Sequence, residues 1–119
     1  MLPFWREVSL LAESSAIDTP SDLVDLVQYQ DGAIVSRVLT KDSSGTVTAF
    51  AFDEGQALSE HTTPFDALLY LFDGTATITI AGTSHRLGCG QIIRLPARVP
   101  HAVEAVDRFK MLLVMLRST

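Results

Sequence analysis

Three histidines, at positions 61, 85 and 101, are the residues of this chain best suited to chemistry. A neutral imidazole is a good ligand for several divalent transition metals. His61 is followed two places on by Thr63, and on a strand residues two apart project to the same face. The two therefore point together, and Thr63 can donate a hydrogen bond to a ligand or a metal-bound water. His101 follows an extended loop, Pro96-Ala97-Arg98-Val99-Pro100, which delivers it onto a strand. Arg98 in that loop is suited to an anionic ligand, although a loop arginine is ordinarily just solvated. His85 falls on a solvent-facing strand position and reads as a surface residue. Cys89 lies between two glycines, without a basic neighbour to lower its pKa, and reads as a turn residue.

These side chains must be positioned by strands. The stretch Gly55–Gly74 reads as two strands, and its closing Asp73-Gly74, between two apolar runs, is a hairpin signal. Leu23–Tyr29 is rich in β-formers and closes on a second such dipeptide, Asp31-Gly32. Ala33–Thr40 continues as a strand, and Lys41–Gly45 has the composition of a loop. Thr46–Asp53 alternates, with Thr48, Phe50 and Phe52 on one side and Val47, Ala49 and Ala51 on the other. Both sides are fairly apolar, as expected where one faces a lumen and the other a second layer. Thr75–Ala81 has strict period two, with threonines outward and Ala/Ile inward. Ser84–Leu87, Gln91–Leu95 and Ala102–Val106 follow, separated by Gly- and Pro-rich corners. Tyr70 and Phe72 share the parity of Leu68 and are assigned to core packing. Phe109–Leu116 is apolar on both faces, the mark of a strand buried on both sides. Eight to ten short strands at this spacing predict an antiparallel sandwich or barrel. The first 22 residues read as a short helix or arm carrying Trp5, broken at Thr19-Pro20.

The 119 residues suit one domain with one modest core. A net charge of −5 and scattered Lys and Arg argue against a nucleic-acid partner. One cysteine rules out an internal disulfide. The amino terminus lacks the pattern of a signal peptide, and no apolar run approaches a membrane span. A soluble cytoplasmic protein is the default expectation.

The spacing of the glycines, proline and histidines resembles the two motifs of a small single-domain cupin, an all-β double-stranded β-helix or jelly-roll barrel. In the first motif a glycine is followed after five residues by His-x-His, then by a glutamate and a glycine. Gly55 leads to His61, Thr63 stands at the second histidine, Ala67 at the glutamate, and Gly74 closes the motif. In the second motif Gly90 leads after five residues to Pro96. Arg98 stands at a glycine position, His101 at the histidine, and Ala105 at an asparagine. The resemblance implies a barrel spanning 23–119 whose motif histidines point into the lumen near one mouth. Family members hold a divalent transition metal there, such as Zn, Fe, Mn or Ni.

Two of the usual four ligands are replaced here, by Thr63 and Ala67. Asp66 lies one residue from the glutamate position and would need a bulge near Pro64 to face inward. Three readings of the site follow. His61 and His101 line a small-molecule pocket without a tightly held metal; or they hold a metal together with water and Asp66; or the barrel is purely structural. In the first, His61, Thr63, His101 and Arg98 contact a small ligand in a lumen fed by Phe50, Phe52, Leu68 and the last strand. In the second, the protein is a dioxygenase, isomerase or lyase acting on a small metabolite. A homodimer is expected in either case, because an exposed Met111–Leu116 would invite edge pairing.

Overall fold

A computed structural model describes residues 17–117 of the chain. Residues 1–16 of the predicted arm, with Trp5, lie outside the described residues. Nine strands follow one another: β1 (Ile34–Asp42), β2 (Gly45–Phe52), β3 (Ala57–His61), β4 (Asp66–Gly74) and β5 (Ala76–Ile80), then β6 (Thr83–Leu87), β7 (Ile92–Leu95), β8 (His101–Glu104) and β9 (Phe109–Leu116). They form two antiparallel sheets, one in the order β1-β2-β9-β4-β7 and the other β3-β8-β5-β6. This is the predicted jelly roll. No helix among the described residues is long and apolar enough to cross a membrane.

The alternation in β2 sorts its side chains as read. Phe50 and Phe52 face the inner core with Leu69, Leu71, Ile78, Phe109, Met111 and Leu113, all essentially inaccessible to solvent. Phe52 stacks on Phe109, with ring centroids 4.5 Å apart. Phe52, Phe109 and Gly74 occupy one register row, so aromatic packing closes this end of the barrel. Phe50 belongs to the next row; both phenylalanines proposed to line a site are core residues.

Ala49 and Ala51 face the other way, into a second cluster with Val27 and Phe72. That layer is supplied by a segment in which sequence reading placed a strand. Residues 23–25 form a single 3-10 turn, and 26–33 continue without strand pairing. Leu26 and Val27 bury themselves on the outer face of the five-stranded sheet. Their apolar character therefore reflects burial as a strap, not sheet formation. The Asp31-Gly32 turn does not join two strands either. Asp53 holds it by accepting the Gly32 N–H at 2.6 Å.

Asp73-Gly74 likewise makes no hairpin: β4 belongs to one sheet and β5 to the other. Gly74, at φ +74°, carries the chain across between them, with the Arg108 carbonyl filling the space a Cβ would need. Tight hairpins are instead made by Ser43-Ser44, between β1 and β2, and by Ala81-Gly82, between β5 and β6. Both residues of the latter have positive φ, 48° and 81°, as a twist-matched two-residue turn requires.

Two more readings change. The inward residues of β4 are Ala67, Leu69 and Leu71, whereas Tyr70 and Phe72 pack in the outer cluster. Leu68 alternates with the inward set and does not feed the lumen. β9 is apolar on both faces because it is central, paired with β2 on one side and β4 on the other. It offers no free edge, so the edge-pairing argument for a homodimer does not apply to it.

The strap is held by the Arg37 guanidinium, which donates to the Leu26 carbonyl at 3.1 Å, and by a polar cluster around Tyr29. Tyr29 donates to Asp73 at 2.6 Å, and its ring lies under both Lys110 Nζ (4.9 Å) and the Arg108 guanidinium (5.1 Å). Lys110 donates to the Val24 carbonyl at 2.7 Å. Arg108 bonds Asp53 at 2.7 Å and Asp31 at 2.8 Å. Burial, reinforced by the Asp73 carboxylate, pushes the Tyr29 phenol well above its usual pKa, so the hydroxyl remains a donor. Tyr29→Phe should cost about 1 kcal/mol, measured by urea denaturation, because it leaves the Asp73 carboxylate without this donor. An unchanged midpoint would show that the Tyr29–Asp73 bond does not contribute to holding the strap.

Candidate ligand site

The end of the barrel opposite the Phe52–Phe109 stack carries His61 and His101. β8 runs from His101 and β3 runs toward His61, and the two are directly opposed in the β3–β8 ladder. Their opposition depends on an irregularity. Leu58 pairs with Val103 and His61 with His101, so three steps along β3 match two along β8. Leu58 and Val103 are both buried inward. In a regular strand Glu60 would share that face and His61 would point out. A bulge absorbs the extra residue and turns the imidazole toward its partner.

The rings meet edge-to-face, with centroids 4.4 Å apart and planes at 66°. Each is oriented by the carbonyl two residues earlier: His61 Nδ1 lies 2.7 Å from the Ser59 oxygen, and His101 Nδ1 lies 3.2 Å from the Val99 oxygen. A carbonyl only accepts, so each Nδ1 carries a proton and, in the neutral rings, the lone pairs reside on Nε2. His101 is only 3% exposed. Burial pulls its pKa below the ordinary histidine value, as does the neighbouring His61, against a smaller opposing effect of the Val99 carbonyl.

The loop that presents His101 is pinned on both sides. Arg98 N–H donates to the Thr63 carbonyl at 2.8 Å, and Ala81 N–H donates to the Pro100 carbonyl at 2.9 Å. Arg98 itself is exposed and adopts φ +63°, the conformation that suits the glycine of the motif it departs from. Thr63 is buried beyond the end of β3, and its hydroxyl closes a local turn with the backbone of Phe65. It is not a strand partner of His61. Asp66 is not brought to the imidazoles. Its carboxylate accepts the Ala97 N–H at 2.8 Å and lies 3.9 Å from Arg94, so it anchors the His101 loop from outside. The pairing of β4 with β9 runs without a break from Asp66 to Leu71, so no bulge re-aims it. His85 is exposed on the edge strand β6, and Cys89 is exposed in its turn.

A cupin-domain family model matches residues 49–116, from β2 through β9. The chain belongs to the cupin family. Its fold is similar to that of a conserved protein of unknown function from Streptococcus pyogenes. The two are 35% identical, with a TM-score of 0.81, over 86% of this chain and 90% of that one. A cupin superfamily protein from Desulfitobacterium hafniense is 27% identical, with a TM-score of 0.81, over 85% of this chain and 93% of that one. A cupin 2 conserved barrel domain protein from Leptotrichia buccalis is 36% identical, with a TM-score of 0.76. There the alignment covers 79% of this chain and about half of the other, 46%. No curated protein matches the sequence.

The donor set departs from what a resident metal in a cupin would need. Among the described residues no three His, Cys, Asp or Glu side chains are grouped to hold an ion. Ala67 points inward at the glutamate position but is apolar. Thr63 is committed to its turn and Asp66 to Ala97. Two imidazoles remain, one short of the three protein ligands of a catalytic zinc site or a facial iron triad. Two buried inward polar residues of the five-stranded sheet were not singled out as site residues by sequence reading: Ser36, opposite Phe50, and Thr48, 1% exposed, whose hydroxyl has no hydrogen-bond partner among the described residues. The available signal at Thr48 was a hydroxyl in phase with Phe50 and Phe52, a phase that Thr46 shares.

The lowered His101 pKa sets a direction for stability. On acidification the unfolded chain binds this proton first, near pH 6.5, while the folded chain resists it. The contribution of His101 is therefore complete above about pH 6.5 and is lost as pH falls through the folded value. Urea midpoints should decline over that range, and His101→Gln, which removes the proton site, should flatten the decline. An identical slope in the variant would contradict the assignment.

Proposed function

We propose that this cupin binds a small molecule at the mouth of its barrel, with the His61–His101 pair as the polar centre of the site. The observation that carries the reading is the pair itself. A strand bulge and two backbone carbonyls hold two imidazoles face to edge in a mainly apolar barrel, and core packing alone calls for neither. Neutral rings with Nδ1 bound to carbonyls present Nε2 as an acceptor to a hydrogen-bond donor on the ligand. The Arg98 loop rims this end and offers a cation to an anionic ligand group.

A metal-dependent cupin enzyme is the second reading, favoured by one observation. Fixing Nδ1 on a carbonyl is also how proteins orient imidazoles that ligate metals through Nε2. Such a site would have to complete its coordination with solvent or substrate.

Elemental analysis of dialysed protein, beside NMR titration with small phenols and carboxylic acids, separates the two. The small-molecule reading expects sub-stoichiometric transition metal and saturable shifts around His101, with His61→Ala and His101→Ala binding roughly tenfold more weakly. Stoichiometric metal lost in both variants would replace it with the metal-site reading on which the enzyme depends. Binding unaffected by either substitution would end both.

A further inference from the structure

The strap covers only part of the outer face of the five-stranded sheet. Leu23, Leu39 and Leu112 are half-buried and pack on one side against the outer cluster. With Leu26 and Val47 they also line an open groove of about 590 Å³. That volume falls in the roughly 300–1,000 Å³ range of sites that take a compact guest, so it admits several side chains. Asp18 is the one charged residue among the described residues that line it. Val47 also begins an outward row that continues through Val114 and Leu68, all three half-buried. An apolar strip thus leads from the groove across three strands and ends at Arg94 on the edge strand β7.

The wall of the groove includes Ile17–Ser21. Residues 1–16 therefore join the described chain at the groove itself. Their sequence carries Phe4, Trp5, Val8, Leu11 and Ala12, apolar side chains that need a surface to cover. The stretch from Trp5 to Ile17 can span about 18 Å as a helix, or about 40 Å when extended. Three neighbouring strands span about 10 Å, so Trp5 reaches the whole strip in either conformation. A segment tethered at the rim has an effective concentration on the order of millimolar. It also docks without the loss of translational and rotational freedom that a separate partner incurs.

We propose that residues 1–16 dock on their own chain, in this groove and along the Val47–Val114–Leu68 strip, with Trp5 as the main anchor. An aromatic side chain buries about 150–250 Å², which makes Trp5 the largest contribution the segment can offer. Docking extends the layer begun by Leu26 and Val27 toward the histidine end of the sheet. It is independent of what binds at the histidines.

Trp5 is the only tryptophan of the chain, so tryptophan fluorescence of the full-length protein reads this segment alone. In the wild type its emission should be blue-shifted, and acrylamide should quench it less readily than N-acetyltryptophanamide. Val47→Glu places a charge in the groove, and Val8→Glu places one on the segment while leaving the barrel sequence intact. Each should shift the emission to the red and raise the quenching constant about threefold, because a charge resists burial in an apolar site. The double variant should go no further than either single one, since both break the same contact. Protection in the wild type should not change on dilution, with light scattering recorded at each concentration. Circular dichroism confirms folding, and Val114→Glu replaces Val47→Glu if that variant does not fold.

Wild-type emission and quenching equal to those of N-acetyltryptophanamide would overturn the proposal. So would protection that survives the charge on the sheet, since the segment would then lie on another surface. Protection lost on dilution, in step with dissociation of a dimer, would assign the groove to the segment of a second copy and overturn docking within one chain.

Discussion

The extra residue in β3 is the constraint on which the chemical centre depends. Strand pairing offers only two facings, and a ladder that runs Leu58 against Val103 commits the next paired position to the same inward face. By placing His61 opposite His101, the bulge gives the barrel two adjacent imidazoles rather than a lone buried histidine beside a glutamate. The local hydrogen bonds agree with that placement. The carbonyl that orients the His61 ring belongs to Ser59, inside the irregular segment, so one feature both turns the side chain and sets its tautomer.

A division of labour follows along the barrel axis. One end is closed by the stacked Phe52 and Phe109, where Gly74 lets the chain cross between sheets against the Arg108 carbonyl. The other end is rimmed by loops that hold one another through backbone hydrogen bonds. Polar side chains at the closed end, including Asp53, Arg108, Tyr29 and Lys110, fasten the strap and leave the lumen untouched. The outer face of the five-stranded sheet is thereby buried as well. This explains how a chain of 119 residues can have a strand as apolar as β9 with only its last residue, Leu116, exposed.

The same economy applies to Asp66. Its proximity in sequence to a motif position suggests ligation, but its bond to Ala97 makes it a brace for the loop that ends in His101. The family likeness and the departure from the family therefore lie in the same few residues. Glycine, proline and histidine spacing preserves the barrel and the two outer imidazoles, while Ala67 and Thr63 withdraw the remaining ligands. What is left is a mouth with two imidazoles above a largely apolar wall, whose buried hydroxyls are those of Ser36 and Thr48.

Much of this was legible in the residues themselves. Period-two alternation in Thr46–Asp53 and Thr75–Ala81 sorted inner from outer faces correctly, because facing in a regular strand follows from parity alone. Motif spacing placed His61 and His101 at one site because the positions of the turns in a barrel fix which strands lie side by side. Long-range contacts decided the rest. Leu23–Tyr29 has the composition of a strand but packs across the outer face of a sheet rather than pairing along an edge. Asp73-Gly74 has the local signature of a hairpin, yet its two flanks, β4 and β5, pair in different sheets, β4 with β9 and β7, β5 with β8 and β6. The bulge in β3 and the orphaned hydroxyl of Thr48 exist only in relation to residues some 40 to 65 positions away in the chain, and no local pattern encodes such a relation.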